Sequence, residues 1–217
     1  MMKLKAIILF SGGLDSTVML AQALAEGKEC LALSFDYGQR HRIELKAAET
    51  IANHYHVPQK IIQIDPAAFS NTSLVGSEGA PKYKSSNEID HQKIPSTQVP
   101  ARNTLFLAYA LGQSEIHNAQ EIHIGPNAQD FAHYPDCRPA FYTAFQAMAN
   151  HATKQAAEGH PPRILTPLIH FHKKEIVALG RSLDAPLHLT FSCYDPTPAG
   201  TPCTACLACH TRSAAFA

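Results

Sequence analysis

Apolar positions along the chain fall into short unbroken runs separated by stretches with a helical period. Lys3 to Phe10 reads as a strand buried on both faces, Ser11 to Ser16 as a turn, and Ser16 to Glu26 as a helix stopped by Gly27 in the C-cap position. Cys30 to Phe35 is a second buried strand, Gln39 to Tyr55 a helix, and Lys60 to Ile64 a third strand. This β-α-β-α-β order predicts a doubly wound, mostly parallel α/β sheet of the Rossmann-like kind. Asp65 to Val99 breaks the pattern, being rich in Ser, Asn, Gly, Pro and Lys, and reads as a lid or a disordered segment. Asn103 to Asn118 is apolar nearly all round, which predicts a buried helix. Glu121 to Gly125 is a fourth strand. Pro139 is placed to open a helix whose apolar face is Phe141, Phe145, Met148 and Ala152. A short strand at Arg163 to Leu165 and a helix at Lys173 to Ser182 follow. From Phe191 onward no regular pattern is visible, so the chain divides into a domain over 1–190 and a tail over 191–217.

Composition narrows the class. Apolar residues make up 45% of the 217 and charged residues 17%, a globular balance. Lys plus Arg and Asp plus Glu are 18 each, so no global charge draws the chain to a polyanion and nucleic acid is not the expected partner. No apolar run is long enough for a membrane span, and Ala6 to Phe10 is too short for the core of an export signal. The expected compartment is the cytoplasm, where thiols stay reduced.

The sharpest local signal is Ser11-Gly12-Gly13-Leu14-Asp15-Ser16, set between a buried strand ending at Phe10 and a helix. Helix N-termini present unpaired N–H groups and partial positive charge, two glycines let the backbone approach an anion, and two serines add donors. The plainer reading is a strand–turn–helix with Asp15 or Ser16 as N-cap. No Gly-Lys-Ser/Thr follows, so this is not a Walker loop, and it lacks the dinucleotide glycine pattern. It resembles the SGGxDS loop of the N-type ATP pyrophosphatases, which cleave ATP between its α and β phosphates. That resemblance implies that Phe10 to Ser16 hold ATP and that Asp15 holds Mg²⁺. Tyr37 and Gln39 follow the second strand at its carboxyl end, where ligands of doubly wound sheets bind, or else belong to an ordinary strand-to-helix loop.

Six cysteines are present, four of them at Cys193, Cys203, Cys206 and Cys209. Four thiolates at that spacing suit tetrahedral zinc, closing a tail with little core of its own. An iron–sulfur centre and redox-active thiols are the alternatives, and His210 is a spare ligand or a surface histidine.

Three further segments, VPARNT at 99–104, DFAHYPDCRP at 130–139 and SCY at 192–194, occur with SGGLDS in an order similar to that of the 7-cyano-7-deazaguanine synthase (QueC) family. The resemblance spans nearly the whole chain and implies an adenine-nucleotide alpha-hydrolase-like fold and a homodimer. It also implies a reaction in which ATP adenylates the carboxylate of 7-carboxy-7-deazaguanine, ammonia displaces AMP to give an amide, and a second ATP drives dehydration to the nitrile. On this reading Asp15, Ser16, Arg102 and Arg138 serve the chemistry. Arg102 and Arg138 hold a carboxylate or the α-phosphate, Asn103 and Asn127 read polar edges of the base, and Tyr134 stacks on it. Asp136 binds a metal or a ring N–H, or caps the helix that starts at Pro139. Cys137 and Cys30 read as packed thiols. The chain departs from the family pattern at His133 (Gly), Ala140 (an acidic residue), His172 (Ser), Thr204 (Gly) and Leu207 (Asp). These leave open a paralogue that activates another carboxylate or one that modifies tRNA.

Overall fold

The computed structural model describes residues 4–69, 72–76, 78–85, 88–89, 94–130 and 134–217. The departure at His133 and parts of the 65–99 segment therefore lie outside the described residues. The elements run β1 (Lys5–Leu9), α1 (Leu14–Ala25), β2 (Glu29–Asp36), α2 (Ile43–His54), β3 (Gln59–Gln63), α3 (Arg102–His117), β4 (Glu121–His123), α4 (Pro139–Ala152), α5 (Lys154–Ala157), β5 (Arg163–Leu165), α6 (Lys173–Ser182) and α7 (Leu207–Phe216). The strands form one sheet in the order β3-β2-β1-β4-β5, and every pairing is parallel.

The apolar runs explain why this sheet is covered on both faces. In β1, Ala6 and Ile8, continued by Phe10, face a core with Val18, Leu20, Ile51 and Ile176. Ile7 and Leu9 face the opposite core with Leu33, Phe35, Leu107, Ile122 and Phe145. The strand order reverses between β1 and β4, so the crevice for a ligand lies beyond their carboxyl ends. The loop after β1 is SGGLDS, and the loop after β4 carries Asn127 and Asp130.

Several expectations change, among them the face of α4, whose buried residues are Tyr142, Phe145 and Ala149 while Met148 is 44% exposed. The helix read as buried all round keeps one face open: Leu105, Tyr109 and Ile116 on α3 are 39%, 42% and 65% exposed. Its apolar residues exceed what one sheet face can cover. The tail is not irregular, because the ten-residue helix α7 occupies Leu207–Phe216 within it. That helix is hard to see in sequence since only Ala215 is buried along it. The helix after β2 begins at Ile43, later than Gln39.

The described part of the 65–99 segment is a wall. Phe69, Leu74 and Val99 join the core. Tyr83 N donates to Ala205 O at 2.8 Å, and Lys82 pairs with Asp195 at 2.7 Å, tying the segment to the cysteine tail.

Candidate functional site

A cavity of about 530 Å³ opens at the switch point between β1 and β4, within the size range of ligand pockets. At one end stands the glycine loop. Gly13 is the N-cap of α1 in an extended conformation and supplies no side-chain cap, so the first-turn amides remain directed at the crevice. Ser11 Oγ accepts from Gly13 N at 3.2 Å and lies 3.2 Å from Ser16 Oγ. Neither Asp15 nor Ser16 is the cap. Gly12 sits at φ +79°, and a Cβ there would stand 2.4 Å from Ala48 N. Only glycine lets α2 approach the loop this closely.

Asp15 is the centre of a charged cluster. Its Oδ2 is ion-paired to Lys173 Nζ and accepts from Asn127 Nδ2 at 3.2 Å. Its Oδ1 is buried without a partner. Asn127, wholly buried, also donates to Asp130 Oδ2 and accepts from Gln129 N at 2.9 Å. It thereby holds two carboxylates and does not line the cavity, a different role from reading a base edge. Burial, and then the neighbouring Asp15, hold Asp130 up at about 6, against Lys173. Burial also works against the charge of Lys173, but Asp15 and Asp130 outweigh it and the ammonium is held above its ordinary value.

The far end is aromatic, lined by Phe35, Tyr37, Phe106, Tyr134 and Tyr194. Phe35 and Phe106 are stacked at 3.9 Å. Tyr134 and Thr97 share a 3.0 Å hydrogen bond. Burial pushes the Tyr37 phenol up to about 12, so it stays a neutral donor. Arg102 lies on this wall, with Nε buried and unpartnered and its guanidinium 5.8 Å above Phe106. It is presented by Ala101, which adopts φ 51° at the N-cap of α3. On the side nearer the glycine loop, His41 Nε2 lies 3.3 Å from Glu44, and its Nδ1 is buried without a partner.

Several expected site residues serve the frame. Gln39 is fully buried and does not line the cavity. It accepts from Tyr37 N at 2.9 Å and donates to Phe35 O at 3.0 Å, bracing the turn after β2. Asn103 lines the cavity, but its amide donates to Asp136 O at 3.1 Å and lies 3.4 Å from Cys137 Sγ. Asp136 accepts from Asn103 N at 3.1 Å and so caps α3; the helix from Pro139 has Arg138 as its N-cap. Arg138 and Ala140 are exposed and lie off the cavity wall. Cys137 and Cys30 are packed, and burial pushes their thiols up to about 12 and about 11. His172 is the N-cap of α6, its N–H donating to Glu175 at 2.7 Å.

Sequence reading missed Lys173, Asp130, Ser192 and Arg212, all on the cavity wall. Lys173 had a legible signal, standing in the first turn of the helix after β5. Asp130 stood in a motif already singled out. Ser192 likewise stood in the SCY segment, whereas Arg212 had no signal, since nothing in the tail predicted its fold onto the loop.

The four tail thiols converge. The Sγ atoms of Cys193, Cys203, Cys206 and Cys209 all lie within 4.8 Å of one another, and Cys203 and Cys209 are 3.9 Å apart. A tetrahedral zinc with bonds of about 2.3 Å needs sulfur–sulfur edges of about 3.8 Å, so the cluster fits that ion. A hydrogen bond from Cys193 holds the Cys206 thiol down, at about 4. Thr204 adopts φ 60° in the turn between Cys203 and Cys206.

The open parallel sheet with its glycine loop at the switch point defines a nucleotide-binding α/β protein. The model of the family described as "Queuosine biosynthesis protein QueC" matches residues 5–217, and the chain belongs to that family. It is 48% identical over 213 residues to a 7-cyano-7-deazaguanine synthase of Saccharophagus degradans, covering 98% of this chain and 92% of the relative. It is 46% identical over 213 residues to one from Leptospira interrogans, covering 98% and 86%. Among solved structures, the fold is shared with NMN synthetase from Francisella tularensis, with TM-score 0.50, 18% identity, and coverage of 93% of this chain and 71% of that one. Among the described residues no helix is long and apolar enough to cross a membrane.

Proposed function

We propose that this cavity converts 7-carboxy-7-deazaguanine and ammonia to 7-cyano-7-deazaguanine with two molecules of ATP. The observation that carries the reading is the Asp15–Lys173 pair beneath the glycine loop, in one cavity with an aromatic wall that includes Arg102. Family membership supports the same reaction.

The chemistry follows from that arrangement. A carboxylate becomes electrophilic when one oxygen attacks the α-phosphorus of ATP, the α–β bond breaks, and pyrophosphate leaves with the electron pair. The loop amides with Ser11 and Ser16 hold the departing pyrophosphate, and Lys173 neutralises charge that grows there. Asp15 Oδ1, buried and unpartnered on this wall, is an oxygen ligand open to a divalent ion. Mg²⁺, when bound, supplies charge neutralisation at the phosphates. Ammonia then attacks the acyl carbon and AMP departs. The second ATP places AMP on the amide oxygen, and loss of AMP with two protons leaves the nitrile. His41, held through Nε2 by Glu44, presents its unpartnered Nδ1 as the proton acceptor.

Arg102 holds the substrate carboxylate, Tyr134 and Tyr37 pack against the two bases, and Phe10 and Leu14 complete the nucleotide wall. Gln39, Asn103, Asn127 and Asp136 position these groups, and Arg138 serves from outside the cavity. The tail over 191–217 is a zinc-binding unit packed on the domain of 1–190, with Cys193, Cys203, Cys206 and Cys209 filling a closed structural shell. The enzyme works in the cytoplasm as a homodimer, for which the exposed stripe Leu105, Tyr109 and Ile116 on α3 is the fitting face. Incubation with MgATP, ammonium and 7-carboxy-7-deazaguanine tests the reading. Nitrile, AMP and pyrophosphate should accumulate together, and AMP without any nitrile would refute it.

A further inference from the structure

The tail that bears the cysteines also bears Arg212, three positions after Cys209 on α7. Its side chain reaches the phosphate end of the cavity, whose wall it shares with Ser11, Asp15, Ser16 and Ser192. Nη1 donates to Thr190 Oγ1 at 2.7 Å and Ser192 Oγ at 3.3 Å, and Nη2 donates to Leu187 O at 3.1 Å. The guanidinium carbon lies 4.8 Å from the Phe216 ring centroid. Each hydrogen-bond partner is neutral. Among the described residues no carboxylate lies within ion-pair distance of this guanidinium, whereas Lys173 is already matched by Asp15. A half-buried guanidinium is always charged and is costly to leave without an anion. Besides the Cys209 thiol, whose negative charge favours it, no anionic group of the described residues balances this guanidinium, and it lines the cavity's loop end.

The tail and the glycine loop form one surface. Phe191 N donates to Gly12 O at 3.1 Å. Ser192 Oγ lies 3.5 Å from Leu14 N, the first amide of α1, and so bridges Arg212 to the helix terminus. Cys206 caps α7 and Cys209 lies in its first turn, so the thiol cluster fixes the helix that fixes Arg212.

We infer that Arg212 is a pyrophosphate-binding residue of the activation step, carried to the loop by the cysteine tail. The inference rests on the proposal that the loop holds ATP phosphates. As the α–β bond breaks, the electron pair moves onto the pyrophosphate oxygen, and a guanidinium fork pairs with that growing charge. The tail then belongs to the nucleotide site as well as to the scaffold.

Calorimetric titration of the zinc-loaded protein with magnesium pyrophosphate, and separately with AMP, tests this. Arg212→Gln should weaken pyrophosphate binding by about 10- to 100-fold, the loss of charged hydrogen bonds, while AMP affinity and zinc content hold. Arg212→Lys, which keeps the charge but not the fork, should fall between, and it decides the matter if the Gln variant does not fold. Unchanged pyrophosphate affinity in either folded variant overturns the inference, and so does equal weakening of AMP and pyrophosphate, which marks a strut. A wild-type protein that binds AMP but no pyrophosphate overturns the loop reading together with it.

Discussion

Lys173 Nζ is ion-paired with Asp15 Oδ2, joining the first turn of α6 to the first turn of α1 across 158 positions of chain. The pair sets the charge of the cavity's phosphate end. It leaves Asp15 Oδ1 without a partner and so divides one carboxylate between a fixed ammonium and an open ligand position.

Asp15→Asn should therefore keep the side chain's shape and lose its charge. Activation should fall by at least about 100-fold in kcat/KM for ATP, comparable to removing one electrostatic group from a preorganised site. Zinc content and the circular-dichroism spectrum should be unchanged. Quantifying AMP release against ATP concentration checks this, and near-normal kcat/KM would remove Asp15 from the phosphate site.

The reach of sequence reading is visible in the same pair. The SGGLDS loop, the parallel order of the strands and the four cysteines were legible because each is a local pattern with one physical meaning. The pairing of Lys173 with Asp15 was not, because the two are 158 positions apart and only the packing of α6 on α1 brings them together. Asn103, Asn127 and Gln39 lie at or beside the cavity, and their amides are engaged with the surrounding frame. An amide's type does not say whether it will face a ligand or satisfy buried backbone and carboxylate groups, and here it does the latter. Arg138 and Ala140 adjoin a motif that lines the cavity, but the 3₁₀ turn at Pro135–Cys137 ends before them and turns them outward.

In the tail, Cys206 is fully buried among the other thiols. Cys206→Ser should lose the metal and lower the melting temperature, since binding energy at a structural zinc site is folding energy. Metal analysis of the purified variant, with a thermal scan, tests the claim. Full zinc occupancy with an unchanged midpoint would sink it.

Thr204 makes the opposite expectation. A β-branched residue at φ 60° carries steric strain of about 1–2 kcal/mol that glycine avoids, although glycine's looser unfolded chain returns part of that gain. Thr204→Gly should raise the denaturation midpoint modestly. A lower midpoint would show that the Thr hydroxyl, which donates to Cys203 O at 2.7 Å, outweighs the strain.

Acid stability should depend on Glu121. Burial opposes its charge, but hydrogen bonds from Lys28 and His123 hold the carboxyl down at about 2, and Arg163 also pairs with it. A carboxyl lowered on folding stabilises the fold above its unfolded value near 4.5 and loses that contribution as pH falls towards 2. The stake is about 3 kcal/mol at ~1.4 kcal/mol per tenfold shift. Urea midpoints between pH 5 and 2 should drop steeply in the wild type and less steeply in Glu121→Gln. Parallel curves would contradict the assignment.

The twofold adenylation proposed for this cavity places AMP on each oxygen of the same carbon in turn. Its most direct test follows the two carboxylate oxygens, using 7-carboxy-7-deazaguanine labelled at both with ¹⁸O and mass spectrometry of every product. Two AMP per nitrile are expected, each bearing one ¹⁸O, with pyrophosphate unlabelled. Unlabelled AMP, or label found in any other phosphate, would contradict it.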